Sequence, residues 1–142
     1  MACWAIIPVK RFGSAKSRLA DLCDVDERAR LAEAMLADTL TTVCAAKGLS
    51  GIALVTADDK AATLGRQAGA IVLPDNTADL NSALTQIREQ VRSKVGKVAL
   101  LTLPIDLPAL AVEDVEAIIE TGRDATSVVV VPDHDREGTN AL

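Results

Sequence analysis

The sequence has 142 residues, 49% of them apolar, enough to bury a sizeable core. With one Phe, one Trp and no Tyr, that core must come from Ala, Val, Leu and Ile, which the strands and helices of an α/β protein supply. Twenty acidic residues against 15 basic ones give a net charge of -5, which argues against a nucleic-acid or anionic-membrane binder. Cys3, Cys23 and Cys44 are widely spaced and His134 is the single histidine, so a zinc site or a Ser-His-Asp triad is not indicated, and buried free thiols in a reducing compartment are expected. The apolar stretch at Ile6 and Ile7 is cut by Pro8 and Lys10, too short for a signal peptide or a membrane span, so a cytoplasmic location is expected.

Along the chain, short β-branched runs alternate with amphipathic helices. Trp4 to Val9 is a near-continuous apolar run of the kind a strand buried on both faces shows. A basic, glycine-containing loop over Lys10 to Ala20 follows. Asp24 and Glu27 stand at capping-box spacing before a long helix reaching to about Lys47, with Ala32, Met35, Leu36, Thr39, Leu40 and Val43 on one side. Gly48 and Gly51 are expected to close it and open a second strand, Ile52 to Thr56. Asp58 caps a helix that Gly69 ends, and Ala70 to Leu73 is a third strand. Leu80, Ala83, Leu84, Ile87 and Val91 stripe the next helix, followed by a fourth strand over Lys97 to Leu103. Val112, Val115, Ile118 and Ile119 mark a further helix, and Ser127 to Val131 reads as a fifth strand. This alternation predicts one three-layer α/β domain over residues 1–142, its sheet mostly parallel and built from right-handed βαβ units.

In such a sheet the ligand sits outside the carboxyl ends of the strands. Four segments are placed there. The first, Lys10 to Arg18, holds four cations with a glycine and two serines, a set suited to replacing the hydration shell of a triphosphate. It fits neither a Walker A nor a dinucleotide fingerprint, and a solvated basic loop is the plainer reading. The second, Leu103 to Pro108, delivers Asp106 between two prolines. That carboxylate suits magnesium, which takes one or two protein oxygens beside phosphate and water, and it equally suits a turn or helix cap. Asp58 and Asp79 open helices, so capping accounts for both, whereas Asn81 just inside a helix start is free to meet a base edge or ribose. Glu137 to Leu142 is a polar turn leading into an apolar run.

Taken together, IPVK-x4-AKSRL, LVTAD, LN-x-AL, LP-x-DLP-x-L and GTNAL resemble the guanylyltransferase family of coenzyme F-420 biosynthesis, which acts on 2-phospho-L-lactate, phosphoenolpyruvate or 3-phosphoglycerate. The resemblance implies a nucleotide-diphospho-sugar transferase-like, Rossmann-like fold and transfer of GMP from GTP with release of pyrophosphate. It also implies that Lys10, Lys16 and Arg18 hold GTP phosphates, with Lys16 and Asp106 catalytic and Asp106 the magnesium ligand. Asn81 would lie at the nucleotide pocket, and Thr139 and Asn140 near the acceptor. GTP and a small phosphorylated acid are the implied partners, with no nucleic acid or membrane. A nucleotidyltransferase for another sugar or alcohol phosphate, or a non-catalytic nucleotide-binding domain, are the alternatives. Family members commonly start a helix with Thr/Ser-Pro where this chain has Ala111-Val112. They also continue past GTNAL to an acidic D-x-D-T-P-x-D-L segment, so the domain is expected to be C-terminally incomplete. Alone it is expected to bind GTP weakly without efficient transfer, unless a homodimer partner supplies the missing surface.

Overall fold

The computed structural model describes residues 2–14, 17–76, 79–124 and 126–142. Its central sheet has the strands β1 (Cys3–Val9), β2 (Leu49–Thr56), β3 (Ile71–Pro74) and β4 (Ala99–Thr102), in the order β3-β2-β1-β4. All the pairings are parallel, as the alternation of strands and helices requires. Pro74, which has no amide N–H to donate, lies on the edge strand, where that donor is not needed.

The two faces of β1 feed two cores. Cys3, Ala5, Ile7 and Val9 point into one, which is closed by Ala32, Leu36, Leu40 and Val43 of α1 (Val25–Ala45), Ala61 of α2 (Asp59–Gln67) and Val115 of α4 (Val112–Thr121). Trp4 and Ile6 point into the other, which is closed by Ile87 and Val91 of α3 (Leu80–Val95). The predicted stripe on α1 is therefore the buried one, and Thr39 within it satisfies its hydroxyl on Met35 O at 2.8 Å. On α3 the side chains of Leu80 and Ala83 lie outside the described ones. The reciprocal box at the start of α1 is formed, with Asp24 Oδ1 accepting from Glu27 N at 2.8 Å and Glu27 Oε2 accepting from Asp24 N at 2.9 Å. Gly69 ends α2 with φ +80°, a conformation other residues adopt only under strain.

Three sequence expectations are corrected. Of the three free cysteines only Cys3 is buried, while Cys23 is half-buried and Cys44 is exposed at the end of α1. Gly51 lies inside β2, not before it. A Cβ there would meet Trp4 Cζ2 at 2.5 Å, so the bare backbone gives the indole the room to lie across the neighbouring strand. The fifth run does not join the sheet. Residues 127–130 are outside any strand, Val128 is 80% exposed, and only β5 (Val131–Pro132) pairs, antiparallel, with β6 (Thr139–Ala141). The first residues of the run are drawn into a turn, where Ser127 N and Oγ both donate to Asp124 O. The outer edge of β4 is meanwhile engaged by Leu142, which exchanges two hydrogen bonds with Thr102, at 2.6 and 3.3 Å. Among the described residues no helix is long and apolar enough to cross a membrane.

Candidate functional site

The chain leaves β1 toward β2 and β3 on one side and reaches β4 on the other. The crevice between the carboxyl ends of β1 and β4 is thus the point where strand order reverses, and where ligands bind in open parallel sheets. The loop after β1 and the segment after β4 form its two walls.

The β1 wall is a short 3-10 helix, Phe12–Ser14, preceded by exposed Lys10 and Arg11. Phe12 is buried in the core and anchors this turn against α1. Ser14 closes it, its amide and hydroxyl both donating to Arg11 O at 3.0 Å. A Cβ built on Gly13 would meet nothing within 4 Å, so the backbone there is open to an approaching group. Among the described residues Lys10 and Arg18 make no ion pair, leaving both charges available to an anion. Lys16 lies outside the described residues.

Asp58, after β2, holds this wall in place. Its Oδ2 accepts from Phe12 N at 2.9 Å, while Oδ1 accepts from Lys60 N at 2.9 Å and Ala61 N at 3.0 Å at the start of α2. Its own amide donates to Oγ1 of buried Thr56 at 3.0 Å. Burial raises the Asp58 carboxyl, but the amides of Ala61, Phe12 and Lys60 and the charge of Arg11 together hold it below the ordinary carboxylate value. Capping was the role legible in sequence. The second oxygen's grip on a residue 46 positions away was not, because only the fold brings them together.

On the β4 wall, Leu103 is fully buried and its amide donates to Ile6 O at 3.0 Å, so the chain stays fixed to β1 for one residue beyond the strand. Asp106 then stands exposed, with no hydrogen bond or ion pair among the described residues. It does not cap α4, whose N-cap is Ala111, so the capping alternative for Asp106 does not hold. Among the described residues no three His, Cys, Asp or Glu side chains are grouped to hold a metal. A lone free carboxylate suits magnesium, which keeps most of its water and takes phosphate oxygens.

The remaining predicted residues lie on α3 and on β6. Asn81 is exposed in the first turn of α3, and Asp79 caps that helix by accepting from Ser82 N at 2.9 Å and Ser82 Oγ at 2.6 Å. The hydroxyl and amide of Ser82 hold the Asp79 carboxyl below its usual value. Thr139 is exposed, and Asn140 Nδ2 donates to Pro132 O at 3.4 Å across the β5–β6 hairpin. Because Leu142 bridges antiparallel to Thr102, the residues before it run alongside the segment that follows β4. Ala141 and Leu103 share the same core, consistent with that register.

The fold is that of the nucleotidyltransferases. A CMP:2-keto-3-deoxy-manno-octonic acid synthetase complexed with CTP superimposes with a TM-score of 0.62 over 92% of this chain and 51% of its own, at 17% identity. A cytidylyltransferase from Leptospira borgpetersenii superimposes with a TM-score of 0.63 over 92% of this chain and 52% of its own, at 13% identity. Within that fold, the chain belongs to the Guanylyl transferase CofC like family, whose model matches residues 3–142. Phosphoenolpyruvate guanylyltransferase of Nocardia farcinica is 42% identical over 97% of this chain, and that of Rubrobacter xylanophilus is 37% identical over the whole of this chain. The chain spans 62% of the first relative and 68% of the second.

Proposed function

We propose that the chain forms one nucleotidyltransferase domain of a cytoplasmic guanylyltransferase of coenzyme F-420 biosynthesis. It joins GMP from GTP to a small phosphorylated acid and releases pyrophosphate, with phosphoenolpyruvate favoured as acceptor over 2-phospho-L-lactate and 3-phosphoglycerate by the names its relatives carry. The observation that supports this best is that exposed Lys10 and Arg18 after β1, and exposed Asp106 after β4, make no ion pair among the described residues and lie in the segments that leave the two strands flanking the point where strand order reverses.

An oxygen of the acid's phosphate forms a bond to the α-phosphorus of GTP while the bond from that phosphorus to the β-bridging oxygen breaks. Pyrophosphate leaves with the electron pair. The attacking oxygen is already anionic, so no general base is required, and positioning plus charge neutralisation suffice. Lys10, Lys16 and Arg18 hold the phosphates, and Lys16 carries the catalytic role beside Asp106. Asn81 meets the nucleoside, while Thr139 and Asn140 border the acceptor. Asp106 is the residue that would hold magnesium, which when bound would supply further charge neutralisation.

The test is a pyrophosphate-release assay on the full-length gene product with GTP, magnesium and each of the three acids, CTP and ATP serving as competitors. GTP with phosphoenolpyruvate is expected to be preferred, and Asp106→Asn to lower turnover about a hundredfold or more with the fold intact. Wild-type turnover in Asp106→Asn, or preference for CTP, refutes the reading.

A further inference from the structure

Arg28 is the fourth residue of α1, its amide donating to Asp24 O at 3.0 Å. Its side chain is half-buried, and its Nε is buried without a hydrogen-bond partner among the described residues. Steps of three and four from it reach Ala32, Met35, Leu36 and Thr39, so Arg28 opens the stripe by which α1 faces the sheet. α1 follows β1 and runs back along the sheet, so its first turns lie at the carboxyl edge, and it packs on the Phe12–Ser14 turn. Further along, Met35 and Thr39 face Ile105 and Leu107 across a cavity of about 40 Å³, so the same stripe borders the segment that carries Asp106.

The chemistry of this position is unfavourable for the chain alone. A guanidinium does not lose its proton, so a buried N–H without an acceptor stays unsatisfied. The first turns of a helix are also its positive end, where a cation is disfavoured. Neither cost is offset by a carboxylate, because Arg28 forms no ion pair among the described residues.

We propose that Arg28 is an oxyanion-binding residue, its guanidinium fork taking a phosphate or carboxylate oxygen beside the Lys10 loop. The identity of that oxyanion rests on the guanylyltransferase reading: it is a GTP phosphate or a group of the acceptor acid. Arg28→Met keeps the length and apolar packing of the side chain and removes its charge and donors. Wild type, Arg28→Met and Arg28→Lys are titrated calorimetrically with GTP plus magnesium, with phosphoenolpyruvate and with inorganic pyrophosphate, and the Tm of each ligand-free protein is recorded. Arg28→Met is expected to have an unchanged or higher ligand-free Tm and at least about tenfold weaker binding of one or more ligands. Arg28→Lys recovers part of that loss as a point charge. Loss confined to phosphoenolpyruvate places the contact at the acceptor, and loss confined to GTP and pyrophosphate places it at the leaving group. Unchanged affinity for all three, or weaker binding accompanied by a lower ligand-free Tm, overturns the proposal. A wild type that binds pyrophosphate but not GTP refutes the guanylyltransferase reading and leaves the Arg28 comparison valid. A wild type that binds none of the three overturns both.

Discussion

The carboxylate of Asp58 divides its oxygens between two tasks, Oδ1 closing the start of α2 and Oδ2 holding the amide of Phe12. Serine separates them, since it caps a helix about as well as aspartate but is too short to reach the loop. Asp58→Ser is therefore expected to cost about 1–2 kcal/mol, the value of a partly exposed hydrogen bond to a charged acceptor. Amide exchange should speed up at Phe12 and stay slow at Ala61; unchanged Phe12 protection means the loop is held by its buried ring alone. The pH dependence has a definite sign. The Asp58 carboxyl is lowered in the folded chain, so the unfolded chain binds more protons around its ordinary value of 3.8. Its contribution is complete above that value and is lost as pH falls through the lowered folded one. Acid titration of stability should accordingly be less steep in Asp58→Ser than in wild type. At this scale the site was half legible. Residue type and strand position pointed to Lys10 and Asp106, whereas the Asp58 tether and the orphaned Nε of Arg28 depend on contacts between distant segments.

Helix α4 starts at Ala111, which has no side-chain oxygen for the amides of its first turn. Asp114 Oδ2 supplies the reverse half of a capping box, accepting from Ala111 N at 2.9 Å. Ala111→Ser completes the box and should stabilise the chain by about 1 kcal/mol, read as a higher denaturant midpoint at constant m. The opposite outcome is expected at Gly65, inside α2. A Cβ there would lie 2.5 Å from Cδ2 of fully buried Leu54 and 3.3 Å from Val72 Cγ2. Overpacking of about 1–3 kcal/mol then outweighs the roughly 1 kcal/mol gained in helix propensity, so Gly65→Ala should lower the Tm. These elements also show what apolar pattern conveys. The helix stripes and parallel strands were legible because each buries a periodic face. Ser127 to Val131 carries the same β-branched signal, but strand propensity is realised only where a neighbour offers a ladder, and the edge of β4 is met by Leu142 instead.

Across the molecule, stability and ligand chemistry are placed at different ends of the sheet layer. The two cores lie between the sheet and its helices, and the exposed groups proposed for GTP stand outside the carboxyl edge. Those groups are unequal in number: Lys10, Lys16 and Arg18 are proposed beside the single carboxylate of Asp106, with no three-ligand metal cluster among the described residues. One carboxylate oxygen cannot strip magnesium of its water, so the ion has to arrive with, or be held by, phosphate oxygens. Binding of metal and nucleotide should therefore be coupled, and coupling is visible as stabilisation of the folded state. Magnesium alone at millimolar concentration is expected to leave the Tm unchanged. GTP alone should raise it slightly through the lysines and arginines, in a salt-dependent manner, and the two together should raise it more than the sum of their separate effects. Asp106→Asn should abolish the excess while preserving the shift from GTP alone, because the cations on the β1 wall are untouched. A full magnesium shift without nucleotide would show that the ion has protein ligands beyond Asp106, and additive shifts would show that it does not bridge protein and phosphate at all.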